Sequence, residues 1–314
     1  MKEIAPGSLW RPEREIEIIA GTPPGGGLDR AARALETTFQ QHPLLEKTVH
    51  VVNRPGDGAR LAWTYIDHAE RDPHVLSISS PNLTSDYLTG LAAFNHDTYS
   101  PLAILLTEYI AFAVRTDSPL HRGQDLLDRL RRDPHNVTVA LSTALGNPNH
   151  VAFMKLAQHA GADIAAPPIR VFDSALDAVA DVVHGHADVA AVTAASVLAE
   201  LRAGNLRTLA IAAPDRIGGA FAGTPTWLEC GVDCVAGAWR GVTAPAGIED
   251  SHRAFWEMTL RRATETPTWK AELARNQWSP FYLDGPALKR YLAAEDREIA
   301  ARLNQLGLLR AASP

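Results

Sequence analysis

Long apolar runs, basic stretches and cysteine are all scarce in this chain. No hydrophobic run approaches the roughly 18 consecutive apolar residues that cross a bilayer. Lysine and arginine total 30 against 36 aspartate and glutamate, giving a net charge of −6 with no basic stripe. That balance excludes an electrostatic grip on nucleic acid. Arginine greatly outnumbers lysine, which we read as genome composition. The two cysteines, Cys230 and Cys234, show no metal-ligand spacing. They are read either as a small strained bridge or as two incidental small apolar side chains.

Enzyme signatures are absent too. There is no G-x-S-x-G elbow, no HExxH pair, no lysine placed to complete a phosphate loop and no G-x-G-x-x-G with its partner acid. His184-Gly185-His186 with Asp188 has the spacing of a zinc pair. It falls in a mid-chain turn between a helix and a strand, where a plain turn is the simpler reading. Neither a cofactor nor a metal is expected. The opening MKEIAPGSLWRPEREIEI has no apolar core of the kind a signal peptide carries. The expectation is a mature, exported chain or, failing that, a cytoplasmic one.

What is present is a 314-residue chain with 46% hydrophobic residues, enough for two domains. Its most informative stretch is Ile16 to Arg33. The apolar run Ile16–Ala20 stops at Gly21; Thr22, Pro23, Pro24, Gly25, Gly26 and Gly27 follow, and after Asp29 a helical pattern sets in with Ala31, Ala32, Leu35 and Phe39. This reads strand, glycine loop, helix. Three glycines let backbone N–H groups approach a ligand closely, and the helix N-terminus behind them favours an anion. Asp29 reads as the helix N-cap rather than a ligand group, since a carboxylate aimed at an anion repels it.

The alternation continues. Val49–Val52 and Val75–Ile78 read as strands, with helices at Arg30–Gln41 and Leu61–Ala69. A second unit opens at Val137–Leu141, with Pro148 starting a helix through His159 and further strands at Ile169–Phe172, Val189–Val192 and Leu209–Ala212. Strand–helix alternation predicts parallel sheets flanked by helices, with ligands beyond the strands' carboxyl ends. Ser79-Ser80, Ser142-Thr143 and Thr193 all lie at such ends. The long extended stretches Ala103–Val114 and Val235–Ala244 read as crossings between the units. After Pro245 the chain reads as mostly helical: Ser251–Thr264, Pro267–Arg275 and Gly285–Leu306. The expected division is 10–112 with 242–314 in one domain and 113–241 in the other, the cleft between them.

Six blocks stand in order: Pro23-Pro24-Gly25-Gly26-Gly27-Leu28-Asp29, Val51-Val52-Asn53-Arg54-Pro55-Gly56-Asp57-Gly58-Ala59, Gly146-Asn147-Pro148-Asn149-His150-Val151-Ala152, Gly185-His186-Ala187-Asp188, Pro225-Thr226-Trp227-Leu228-Glu229-Cys230-Gly231 and Ala244-Pro245-Ala246-Gly247. Together they resemble a known family, the solute-binding proteins of tripartite tricarboxylate transporters, or Bug proteins. Leu28 stands where the family prefers threonine, Thr22 where it has an aromatic residue, and Ala59, Arg60 and Ala62 replace Gly, Asn and Gly.

The resemblance implies a two-lobed α/β fold of the periplasmic-binding-protein type (type II). Each lobe is a mostly parallel sheet, two hinge crossings join them, and a small carboxylate is trapped between. It also implies an exported, periplasmic protein that hands its ligand to membrane transporter subunits. A sensory module signalling to a membrane kinase is the alternative. An enzyme using His150 or His186 as base is a third reading. A monomer is the default.

The candidate ligand-binding set is Thr22, Pro24, Gly25, Gly26, Gly27, Asp29, Ser79, Ser80, Ser142, Thr143, Gly146, Asn147, His150 and Thr193. The Gly25–Gly27 amides would hold a carboxylate, while Ser142, Thr143 and Asn147 donate from the other lobe. His150 either contacts ligand or supports its loop. Asp29 is included because the resemblance also has it orienting loop amides. Arg60 is a further candidate partner for a second carboxylate.

Overall fold

The computed structural model describes residues 10–310. The first nine residues, and residues 311–314 at the end of the expected first domain, lie outside the described residues.

Two half-sheets share one long strand. In the first half, β1 (Ile16–Ala20) pairs in parallel with β2 (Val49–Asn53) and β3 (Val75–Ser79). The central strands β1 and β3 are almost wholly buried, because helices cover both faces and an unbroken apolar run is the pattern such a strand requires. The strand β4 (Ser100–Arg115) carries the chain across. Its residues Ser100–Tyr109 pair with the returning strand, and Ile110–Arg115 pair in the second half-sheet. There β5 (Val139–Ser142) pairs in parallel with β6 (Ile169–Phe172) and β7 (Val189–Thr193), while β8 (Leu206–Ile211) lies antiparallel on β4. β9 (Gly237–Ala244) returns between β3 and β4, antiparallel to both. Parallel pairing thus covers β1–β3 and β5–β7, and the crossing strands are antiparallel.

The helices follow from their apolar stripes. α1 (Gly27–Gln41) buries Ala31, Ala32, Leu35 and Phe39, a spacing that faces one side of a helix. It is followed by α2 (Arg60–Asp67) and by α3 (Asn82–Thr89). In the second lobe come α4 (Gly123–Arg132), α5 (Pro148–His159), α6 (Ala175–Val183) and α7 (Ala194–Ala203). α8 (Asp250–Glu265) and α9 (Pro267–Asn276) return to the first lobe, where Trp256 and Trp269 are fully enclosed.

Three features were not in the sequence reading. The tail is not purely helical: β10 (Ser279–Asp284) precedes α10 (Gly285–Gln305) and pairs antiparallel with β4. Its half-buried edge position leaves no apolar alternation to read, and Pro280 obscures the strand pattern. The helices α3 and α4 were also unread. α3 is short and rich in Thr, Ser and Asp, and α4 buries only Leu126, Leu127 and Leu130 besides its first glycine.

Candidate ligand-binding site

The carboxyl ends of β1, β3, β5 and β7 open on one narrow cavity of ≈ 60 Å³. At roughly 10–15 Å³ per enclosed water, it takes a few small polar groups rather than a nucleotide. Thr22, Gly27, Ser80, Ser142, Thr143, Asn147 and Thr193 line it, coming from both lobes. Pro24, Gly25, Gly26, Asp29, Ser79, Gly146 and His150 lie outside its lining.

The glycine loop owes its shape to its own hydrogen bonds. Gly25 N–H donates to Asp29 Oδ2 at 2.7 Å, and Gly26 N–H donates to the Pro23 carbonyl at 2.9 Å. Among the described residues no partner is found for the N–H groups of Gly27 and Leu28, and both residues line the cavity. The unpartnered amides are thus those of Gly27 and Leu28 rather than those of Gly25 and Gly26. Gly25 holds a left-handed φ of +82°. Gly26 is required by packing, since a Cβ there would lie 2.5 Å from Thr22 Cβ.

Asp29 is not the N-cap. α1 begins at Gly27, its N-cap is Gly26, and Asp29 N–H donates to Thr22 Oγ1 at 3.1 Å. The helix starts earlier because this hydroxyl takes the amide that a later cap would have served. The Asp29 carboxylate, 1% exposed, accepts from Gly25 N–H, from Asn53 Nδ2 at 2.8 Å and from Arg33 Nε at 2.9 Å. Asn53 also donates to the Thr22 carbonyl, so the second sequence block ties down the first.

In the other lobe, Asn147 caps α5. Its Oδ1 accepts from His150 N–H at 3.1 Å, and its Nδ2 donates to the Ser142 carbonyl and to Thr143 Oγ1. Ser142 Oγ accepts from Asn149 Nδ2 at 3.0 Å, which leaves its own O–H free to donate. The buried His150 ring accepts from Gly146 N–H at 2.9 Å. Burial pushes its pKa down to about 4, so at neutral pH it is an uncharged acceptor that shapes the loop. Ser79 is spent inside the sheet, accepting from Thr243 Oγ1.

Several helices begin at the cavity lining: α1 with Gly27 and Leu28, α3 with Asn82, α5 with Pro148 and Asn149, α6 with its N-cap Ser174 and Ala175, and α7 with its N-cap Thr193. Their partial positive charges favour an anion between them. Arg240 of β9, 7% exposed, also lines the cavity. Sequence reading missed it, though a signal existed: Arg240 and Glu108 are opposite charges lodged in the two apolar crossing stretches. Arg60 is bonded to Asp57 and, at 3.4 Å, to Asp86, and lies outside the cavity's lining.

The lobes touch across the cleft. Asn82 Nδ2 donates to Thr143 Oγ1 at 2.7 Å, and Arg30 Nη2 donates to Ser196 Oγ at 3.1 Å. A larger cavity of ≈ 260 Å³ lies between α3, α5, α10 and the crossing Val235–Gly237. Glu295, Glu298 and Arg302 line it, with Arg302 paired to Glu298 at 2.8 Å. No group of three metal-ligating side chains occurs among the described residues.

Two α/β lobes joined by crossing strands, with the strand ends of both facing one cleft, define a periplasmic-binding-protein type of fold. The chain belongs to the tripartite tricarboxylate transporter family of receptors, whose model matches residues 32–308. It is similar to BugT of Bordetella pertussis, with 27% identity over 94% of this chain and 90% of that protein. Rpa4515 of R. palustris, solved with adipate, superposes with a TM-score of 0.86 at 19% identity, over 94% of this chain and 98% of that one. MatC of Rhodopseudomonas palustris, solved with bound malate, gives 0.75 at 20% identity over the same shares.

Proposed function

We propose that this protein captures a small carboxylate between its lobes in the periplasm and delivers it to the membrane subunits of a tripartite tricarboxylate-type transporter. The observation that carries the reading is the convergence of several helix N-termini, one buried arginine and hydroxyl groups of both lobes on one narrow cavity. That environment favours a compact anion over a neutral or cationic solute. The malate and adipate held by two relatives of the same fold support it.

In this reading the Gly27 and Leu28 amides and Arg240 face the ligand from the first lobe. The Ser142 hydroxyl, with Thr143 and Asn149, faces it from the second. The Gly25, Gly26, Asp29, Asn147 and His150 groups hold those donors in place. Residues 10–109 with 237–310 move as one lobe and 110–236 as the other, pivoting near Tyr109–Ile110 and Ala236–Gly237, where strand pairing changes partners. The protein works as a monomer, binding and releasing rather than transforming its ligand.

The test is thermal unfolding with mono-, di- and tricarboxylates, aromatic acids and acidic amino acids. A ligand of the native state raises the melting temperature by mass action, equivalent to about 2.7 kcal/mol at a hundredfold excess over Kd. A selective rise with one class is expected. A flat response across the panel would sink the reading.

A further inference from the structure

The buried ion group beneath the cavity is larger than anion attraction by helix dipoles requires. Glu108 is 1% exposed and lies between two guanidinium groups. Arg240 Nε donates to its Oε1 at 3.2 Å, and Arg30 Nη2 stands 4.0 Å from its Oε2. The Arg240–Glu108 pair is not the two-bond fork that arginine and carboxylate usually form. Glu108 Oε2 has no hydrogen-bond partner, and Arg240 Nη1 makes only a long 3.4 Å contact with the Trp239 carbonyl. Arg240 Nη2 is bonded to nothing among the described residues and turns instead toward Gly27, where an added Cβ would sit 3.0 Å from it. A side chain at Gly27 would crowd the guanidinium by a few tenths of an ångström where it reaches the cavity beside the free amides.

Two cations and one anion leave one positive charge in surroundings that water screens poorly. Asp29, the other acid that acts on Arg30, is paired with Arg33 at 2.9 Å. The remaining charged lining residue, Asp173, is exposed on the loop between β6 and α6.

We propose that Arg240 is the charge-reading residue of this site, taking one ligand carboxylate on its free Nη2 as a buried ion pair while Glu108 fixes the guanidinium and Gly27 clears its path. The inference rests on the carboxylate reading above and sharpens it: the ligand must be ionised at the end that meets β9, and an uncharged isostere is refused. Fixed dipoles alone would hold an amide carbonyl nearly as well as a carboxylate; two buried guanidinium groups sharing one carboxylate do not.

Calorimetric titration of succinate, malate, adipate and benzoate, each beside its neutral amide, tests this. The wild-type chain should bind at least one acid and refuse its amide. Arg240→Gln combined with Glu108→Gln removes both charges together, so no lone carboxylate is left buried. That variant should lose at least about thirtyfold in acid affinity, and its preference for acid over amide should collapse. A folded double variant that keeps the acid preference overturns the proposal and leaves the carboxylate reading standing. A wild-type chain that binds none of the acids overturns both. If the double variant does not fold, Arg240→Lys decides. Its point charge cannot serve Glu108 and the ligand as a planar fork does, so a loss of about tenfold for the acid is expected. Unchanged acid affinity in Arg240→Lys would overturn the proposal.

Discussion

Asp29 accepts hydrogen bonds from Gly25, Asn53 and Arg33 while almost fully enclosed. Removing it strands three donors, one of them in the loop that carries the free amides. Asp29→Ala is expected to cost about 2–3 kcal/mol of unfolding free energy in urea titration, in the range for buried bonds to a charged group. Arg33 and Asn53 would need new partners, so carboxylate affinity should fall as well. His150 acts on the opposite loop. Its folded pKa of about 4 lies below the ordinary value near 6.5, so the unfolded chain takes up the proton first. Its contribution is complete above pH 6.5 and is lost as pH falls toward 4, by about 3 kcal/mol. His150→Asn keeps an acceptor for Gly146 N–H without the titration. The difference in unfolding free energy between wild type and variant should therefore change across that window and be flat above it. A pH-independent difference would remove His150 as a neutral loop support.

At the scale of elements, α10 meets the crossing strand β9 through a carboxylate. Trp239 Nε1 donates to Glu295 at 2.7 Å and Tyr291 O–H donates at 3.2 Å, yet burial still pushes the carboxyl up to about 7. Since the folded pKa is raised above the unfolded one, stability declines as pH rises from about 4.5 to 7. Glu295→Gln retains an acceptor for the indole. It is expected to stabilise the chain by about 2 kcal/mol at pH 8, with little effect at pH 4.5. Equal stabilities at pH 8 would show that the carboxylate is better solvated than its burial implies.

The start of α1 makes a complementary point. Gly26→Ala brings a Cβ to 2.5 Å from Thr22 Cβ, an overpacking that should cost about 1–3 kcal/mol. Its effect on ligand affinity would come through Thr22 and Asp29 rather than through the Gly26 amide, which is already bonded to Pro23.

Across the whole molecule, the two lobes are held together by few direct bonds. Asn82 to Thr143 is the shortest of those described above, and Thr143 holds a left-handed φ of +70° that costs a non-glycine residue conformational energy. Removing the bond should shift the closure equilibrium toward open forms, because closure is favoured only by what differs between the two states. Asn82→Ala is expected to show a larger radius of gyration than wild type in solution scattering, with the difference abolished by a tight-binding carboxylate. Identical scattering profiles without ligand would mean that the contact does not bias closure.

Local sequence settled much of this protein. Apolar runs such as Val75–Ile78 and Val189–Val192 require burial on both faces. The turn after Ala20 needs its glycines, and Pro148 starts a helix wherever the chain goes next. These are short-range constraints, so the strand–helix alternation and the strand-end loops were legible. The tertiary structure decided which donors remained free. Gly25 and Gly26 amides look as available as those of Gly27 and Leu28 until Asp29 and Pro23 take them. Arg240 and Glu108 are 132 residues apart and become a pair only when β9 returns beside β4. A hydrogen bond or ion pair depends on positions within a few tenths of an ångström. Sequence pattern fixes the element and its face, whereas only the packed chain decides which polar groups are spent on the fold and which are left for a ligand.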